Sequence, residues 1–206
     1  LSSLVVLGLS AQALASPYVD HQATKDQRDV NVFKKVLQNI GNAVTQFNND
    51  ILAYTGGDAN HLIHDGDAII KATENGLQEL GPQPPLGVTD ALALVQPVQE
   101  VNSLIKTAIN NLISKKPIIV KHGYGAQVLA SLEQQKETAQ KLSVLVSSKV
   151  PSPLAPISRQ LSDQVAKAIQ DGINAFSHTG SRRATKVQRD ISAFKKVIQN
   201  ISLAVN

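Results

Sequence analysis

The sequence contains no cysteine, no methionine and no tryptophan, and aromatic residues make up only 3% of its 206 positions. The absence of cysteine excludes disulfides, zinc-thiolate sites, iron-sulfur clusters and cysteine nucleophiles. The fold must therefore be stabilised by packing alone, which is feasible because a domain of about 150 residues buries roughly two-thirds of its unfolded surface. Since aromatic side chains are scarce, the core must consist almost wholly of leucine, isoleucine, valine and alanine.

Motifs for catalysis and phosphate binding are also missing from the sequence. There is no Gly-x-Ser-x-Gly turn, no glycine-rich phosphate loop and no His-Glu-x-x-His pair. Glu133 and Glu137 stand four residues apart, but their pattern is typical of an exposed helical surface rather than of an acid-base pair. We therefore predict that the protein is not an enzyme, with no catalytic residues and no cofactor.

The best candidate for a metal site is a group of histidine and aspartate side chains: Asp58, His61, His64, Asp65 and Asp67. Apolar Leu62 and Ile63 lie between them and occupy the side of the segment that is expected to face the core. This pattern is typical of the capped, solvated start of a helix, with Asp58 as the N-cap. We predict no metal site.

Basic residues are in excess, since the formal net charge is +4 and the sequence pI is about 9.3. They are scattered, with pairs such as Lys34-Lys35 and Arg182-Arg183 as the densest groups. No basic stripe interleaved with aromatic residues is present, so we predict no nucleic-acid partner.

The first fifteen residues form an apolar stretch that ends in the small-x-small pattern Ala13-Leu14-Ala15. This pattern predicts a secretory signal peptide over residues 1–15, followed by a linker over residues 16–22. The stretch is too short to span a membrane, which takes about 20 apolar residues, so no transmembrane segment is predicted. The alternative is an apolar N-terminal helix of the mature protein.

A segment near the start of the chain returns near its end. Residues 23–44 and residues 184–205 are identical at 15 of 22 positions, with an offset of 161 residues (184 minus 23). This offset is the size of a globular domain rather than of a solenoid repeat. The repeat predicts a complete helical domain over residues 23–180 and the truncated start of a second homologous domain over residues 181–206.

Five segments have apolar residues at helical spacing, and glycine-rich and proline-rich breaks separate them. Pro97 is expected to kink the third helix or to mark its true start. Ile118-Ile119-Val120 is the only β-like triplet. The pattern predicts an all-α fold, a five-helix up-down bundle with helices over about 25–54, 58–80, 89–115, 125–148 and 155–177.

The apolar faces of these helices admit two interpretations, an ordinary core or the wall of a central hydrophobic cavity for an aliphatic ligand. Gln135 interrupts an apolar face, and Ser147 and Ser162 lie at the edges of theirs. These three are candidates to bind a lipid head group, or they are polar groups satisfied by backbone and water. The predicted ligand-binding residues are Phe33, Leu37, Ile40, Val44, Leu62, Ile69, Val98, Val101, Ile105, Leu132, Gln135, Leu142, Ser147, Ser162, Val165 and Ile169.

The opening helix carries the pattern R-D-x-x-x-F-K-K-V-x-Q-N-I from Arg28 to Ile40. This pattern, with a signal peptide before it and a cysteine-free helical domain after it, resembles the hydrophobic surface-binding protein A family of fungi. Within that family the chain is similar to the cell-wall galactomannoprotein antigens, which have tandem fatty-acid-binding domains. The resemblance extends from about residue 17 to residue 206.

The resemblance implies a secreted or cell-wall protein that takes up long-chain fatty acids, including arachidonic acid, in a central tunnel of a five-helix bundle. It also implies a role in virulence through the removal of host inflammatory lipid. The alternative within the same family is a structural or adhesive wall mannoprotein that adsorbs to hydrophobic surfaces.

Overall fold

The computed structural model describes the backbone of residues 21–177 and the side chains from residue 30 onward. The predicted signal peptide and the repeated helix from residue 184 lie outside the described residues. Within residues 21–177 the chain is helical and has no strand, as predicted.

The bundle has five long helices and one short one in its described part. Four of the long helices are α1 (His21–Ala53), α2 (Asn60–Leu80), α4 (Val95–Lys121) and α5 (Gly125–Lys149), and the short helix is α3 (Val88–Ala93). A single 3-10 turn, Ser152–Leu154, leads into the fifth long helix, α6, over residues 155–177. These bounds agree with the predicted segments to within a few residues, except where prolines occur.

Proline positions explain the differences in the third predicted helix. The helix divides at Leu94, and Pro97 lies in the first turn of α4, where its missing N–H is not needed. At the other end α4 continues through Pro117 to Lys121, six residues beyond the predicted end. The β-like triplet at residues 118–120 is therefore helical. Burial of Ile119, which is fully enclosed by the core, offsets the cost of the internal proline.

Helix α1 is amphipathic, and one of its faces is buried. Its buried side chains recur at steps of three and four residues, which places them on one face. That face packs against α2 on one side and α4 on the other. The buried residues are Val30, Phe33, Val36, Ile40, Val44, Phe47 and Ile51.

Around the bundle the long helices follow the order α1, α2, α5, α6, α4. Helix α2 packs on α5, while α6 contacts both α5 and α4, since Gly172 lies between Leu132 and Ile109. Helices that follow one another along the chain run in opposite directions, as an up-down bundle requires. Some helices that are adjacent in the ring are parallel. Helices α1 and α4 are one such pair, with Asn111 Nδ2 donating to Asn48 Oδ1 at 2.8 Å.

Polar contacts join the loops at one end of the bundle. Lys115 Nζ donates to the carbonyls of Leu52 and Tyr54 at 3.0 and 2.7 Å, and so satisfies the last turn of α1. Asp58 accepts hydrogen bonds from the backbone N–H of Asn60 and the hydroxyl of Tyr124, both at 2.8 Å. Asp58 thus precedes α2 by two residues and is not its N-cap residue, which is Ala59.

We call this end of the bundle the packed end. Its side chains are almost completely removed from solvent, and they fill the space between all five long helices: Ile51, Tyr54, Leu62, Leu112, Ile119, Leu132 and Phe176. The opposite part, where α1 begins and α5 ends, we call the cavity end.

Among residues 21–177, no helix is long and apolar enough to cross a bilayer.

Candidate functional site

A cavity of about 570 Å³ lies between the helices at the cavity end. All five long helices contribute to its wall, which is predominantly aliphatic. Its volume falls within the range of about 300 to 1,000 Å³ that is usual for small-molecule sites. Twelve of the sixteen predicted site residues line it: Leu37, Ile40, Val44, Ile69, Val98, Val101, Ile105, Gln135, Leu142, Ser162, Val165 and Ile169.

The other four predicted residues lie elsewhere. Leu62 and Leu132 are enclosed in the packed end, each 1% exposed. Ser147 is exposed at the surface, with its hydroxyl 3.4 Å from that of Ser158. Phe33 lines a second, smaller cavity of about 100 Å³.

The smaller cavity adjoins the larger one beneath α3. Leu37, Val98, Leu142, Val146, Leu161 and Ser162 line both cavities. Because the two spaces share these side chains as a common wall, small rotamer changes there can join them into one longer channel.

The large cavity reaches solvent at the seam between α5 and α6, which we call the mouth. The two helices are antiparallel here, because Lys136 Nζ contacts Gln170 Oε1 and Ser147 lies beside Ser158. The lining residues of this seam include exposed as well as half-buried side chains: Lys136, Gln140, Ser143 and Val144 from α5, and Ser162, Asp163 and Ala166 from α6. A ligand can therefore keep a polar group in water while its chain enters the bundle.

Small side chains account for the opening at the mouth. Ala139, Ser143 and Ala166 occupy the positions at which the two helices face each other. Such short side chains cannot reach across the seam, and no residue of α5 after Thr138 is fully buried. The second half of α5 is thus apolar but incompletely covered, which is typical of a binding wall rather than of a core.

Polar groups inside the cavity are few, and most are already hydrogen-bonded. Gln135 is buried and its Nε2 donates to Ser131 Oγ at 3.2 Å. Asn102 Nδ2 donates to the carbonyl of Leu161 at 2.9 Å, and Thr73 Oγ1 donates to the carbonyl of Ile69 at 2.8 Å.

Sequence reasoning missed several residues of this wall, among them Asn102, Lys136 and Ser143. Asn102 stands at helical spacing between Val98 and Ile105, so its position was a detectable signal. No comparable sequence signal marks Lys136, because one charged residue in an amphipathic helix is usually solvated.

The histidine and aspartate group at the start of α2 lies outside the cavity. Within the described residues, no group of three or more histidine, aspartate or glutamate side chains is arranged to hold a metal ion. Asp65 is nonetheless buried, and its Oδ2 has no hydrogen-bond partner in the structure. Burial, and secondarily the neighbouring Asp50, raise the pKa of Asp65 to about 6. Protonated Asp65 donates a hydrogen bond to the Asp50 carboxylate, and this hydrogen bond lowers the pKa of Asp50.

Comparison with known families identifies the chain. The profile of the family described as hydrophobic surface binding protein A matches residues 30–148. The chain belongs to this family. The match covers α1 to most of α5 and so includes four of the five helices that line the cavity.

Known proteins similar to the chain come from fungi. It is 70% identical over 213 residues to cell wall mannoprotein 1 of Talaromyces marneffei, a match that covers 100% of this chain and 46% of the relative. A 32% identical relative from Aspergillus flavus bears the same name, with 85% of this chain and 62% of the relative covered. The chain thus spans less than half the length of the first relative.

One solved structure is matched over almost its whole length. It is ligand binding domain 1 of the Penicillium marneffei MP1 protein, complexed with arachidonic acids. The identity is 77%, the TM-score is 0.72, and the match covers 72% of this chain and 99% of the other.

Proposed function

We propose that the protein is a secreted or cell-wall lipid-binding protein that sequesters a long-chain fatty acid in the cavity between its five long helices. The observation that carries this proposal is the aliphatic cavity of about 570 Å³ with its mouth between α5 and α6. The 77% identical domain complexed with arachidonic acids supports the same ligand class. The wall location rests on the relatives named cell wall mannoprotein 1.

The energetics of the cavity favour an acyl chain. Transfer of each CH₂ group from water to an apolar site gains about 0.8 kcal/mol, so a chain of about 16 to 20 carbons gains on the order of 12 to 16 kcal/mol. Association costs about 4 to 15 kcal/mol. The difference is compatible with affinities from weak to submicromolar, provided that the carboxylate stays hydrated or hydrogen-bonded.

The carboxylate is proposed to lie at the mouth, where polar side chains are concentrated. Ser143 and Ser162 line the cavity from opposite sides of the seam, and each hydroxyl can hydrogen-bond to water at the opening. Gln135 lies deeper and is buried, so it is proposed to contact the chain or a second polar group. Ser147, Leu62 and Leu132 are left out of the proposed site because they do not line the cavity.

Mass spectrometry of lipid extracted from the purified protein tests the proposal. We expect stoichiometric long-chain fatty acid, or uptake of added arachidonic or palmitic acid by delipidated protein. Delipidated protein that retains neither acid, while its helical circular dichroism is intact, would contradict the proposal.

A second candidate function is adhesion to hydrophobic surfaces, the alternative that the sequence left open. Large apolar side chains are exposed near the cavity end, including Val88, Leu92, Val144 and Ile157. Exposed apolar patches mark interaction surfaces. Retention on a hydrophobic resin that persists when fatty acid fills the cavity would favour this function. If fatty acid abolishes the retention, the resin is bound through the cavity and not through the exposed surface.

The repeat at residues 184–205 supports a tandem arrangement of binding domains. Its offset of 161 residues equals the span of one bundle with its linker. The intact protein is therefore proposed to have at least two fatty-acid sites in series, which raises its capacity for sequestration. A tandem arrangement raises avidity only for a multivalent ligand such as a surface.

A further inference from the structure

We propose that Lys136 is a specificity-determining residue of the cavity, and that its ammonium group selects ionised fatty acids over neutral lipids of the same chain length. The inference rests on the proposed function, because it concerns the head group of the same ligand.

Lys136 occupies a distinctive position at the mouth. It follows Gln135 on α5, is half-buried, and is the only lysine or arginine among the described side chains that line the cavity. Its Nζ donates a hydrogen bond of 2.6 Å to Gln170 Oε1 across the seam. The cation is thereby held against α6 at the boundary between cavity and solvent.

The ammonium group of Lys136 has no acidic partner within the described part of the chain. Other lysines do, since Lys141 pairs with Glu137 at 2.6 Å and Lys167 with Asp171 at 2.8 Å. For Lys136 the acceptor is a neutral amide. An ammonium group has three donors, and a charge-assisted hydrogen bond to a carboxylate is about twice as strong as one between neutral groups. A bound carboxylate is therefore a better partner for Lys136 than those the protein supplies.

Gln170 is itself held in the orientation that presents its oxygen to Lys136. Its Nε2 donates to Asn174 Oδ1 at 2.8 Å, one turn further along α6. This second hydrogen bond limits rotation of the amide and keeps the ammonium group at the seam, so that less side-chain entropy is lost when a ligand binds.

Among the described side chains that line the cavity, the acidic one is Asp163, at the other end of the mouth. Asp163 is exposed and precedes Gln170 by seven residues, which is about 10 Å along α6. At that separation in water two unit charges interact by only about 0.4 kcal/mol. On α5, Glu133 and Glu137 are exposed and do not line the cavity, and Glu137 is already paired with Lys141. A carboxylate beside Lys136 is thus attracted more strongly than it is repelled.

Calorimetric titration of the delipidated full chain with palmitic acid and with hexadecanol tests the proposal. Lys136→Met keeps the apolar stem and removes the charge, so we expect palmitic acid to bind about five- to tenfold more weakly. Hexadecanol binding should change by less than about twofold. The control is Lys106→Met, which removes an exposed charge that lies outside the cavity and forms no ion pair within the described residues, and it should affect neither lipid.

A second variant keeps Lys136 and changes the residue that it contacts. Gln170→Glu gives Lys136 an internal carboxylate that competes with the ligand, so palmitic acid should again bind more weakly while hexadecanol does not. Equal weakening of both lipids in Lys136→Met, or no weakening in either variant, would overturn the role of Lys136. Wild-type protein that binds neither lipid would overturn the proposed function itself.

Discussion

The two ends of the bundle are built from the same aliphatic residue types, yet they differ in how completely the side chains fill the space. Leu112 and Ile119 at the packed end have no measurable exposure, whereas Leu142 and Val165 at the cavity end are only half-buried. Helix α5 passes through both ends and changes character after Thr138. An amphipathic helix can therefore be core along one half and binding wall along the other.

The largest expected difference concerns leucine truncation on α5. Leu132→Ala removes a fully enclosed side chain and should lower the free energy of unfolding by about 2 to 5 kcal/mol. Leu142→Ala removes a side chain that already borders a cavity, so the loss should be below about 1 kcal/mol. Urea unfolding followed by circular dichroism measures both. Equal losses would show that the two ends are packed alike.

Filling the cavity should separate binding from folding. Val165→Trp places a large side chain in the cavity, and we expect fatty-acid affinity to fall at least about tenfold, or 1.4 kcal/mol, with helical content retained. Leu132→Trp inserts the same side chain into the packed end and should destabilise the fold by about 1 to 3 kcal/mol. Titration calorimetry and thermal unfolding of both variants make the test. Full affinity in Val165→Trp would place the ligand elsewhere.

A pH titration tests the buried carboxyl near the packed end. The pKa of Asp65 is raised to about 6 in the folded state, above its ordinary value of 3.8, so folding favours the protonated form. The resulting destabilisation grows as pH rises above the unfolded pKa and is complete above the folded pKa. Its contribution should therefore make the protein about 1 kcal/mol more stable at pH 5 than at pH 7. Asp65→Asn should remove this gain, and a variant that keeps it would exclude Asp65 as the source.

The smallest effects come from two helical glycines. A Cβ at Gly172 would lie 3.2 Å from Leu132 Cδ1 and 3.3 Å from Ile109 Cγ2, so these buried side chains would have to shift. Gly172→Ala should cost about 1 kcal/mol. At Gly41 the nearest atom would be 3.6 Å away, so Gly41→Ala should stabilise the helix by about 0.5 kcal/mol. If both substitutions stabilised the protein, or both destabilised it, the proposed difference in packing around Gly172 and Gly41 would be wrong.

Much of the fold followed from the sequence because its signals are local. The helical spacing of residues such as Phe33, Ile40 and Phe47 predicts α1, and glycine-rich and proline-rich breaks predict the loops. The exceptions occur where contacts between distant segments determine the length or the arrangement of a helix. The burial of Ile119 stabilises α4 on both sides of Pro117, and the order of helices around the ring follows from contacts between distant segments.

The candidate site was predictable only in part. Periodicity identifies inward faces, and twelve of the predicted residues line the cavity. It does not distinguish Leu132 in the packed end from Leu142 in the wall, because the two leucines belong to the same apolar stripe of α5. That distinction arises from the small residues at the mouth, whose partners lie on another helix. The sequence pattern placed Asp65 on a solvated helix start, and its burial was not predicted because its neighbour Asp50 is on α1.

The most direct test of the fatty-acid proposal is a methyl nuclear magnetic resonance titration of the leucine, isoleucine and valine side chains with palmitic acid. We expect large shifts for methyl groups of the cavity wall, such as those of Ile105, Leu142 and Val165, and small shifts for Leu112 and Ile119 at the packed end. Shifts confined to exposed Val88 and Leu92, with the cavity methyl groups unchanged, would contradict internal binding and favour adsorption to the surface.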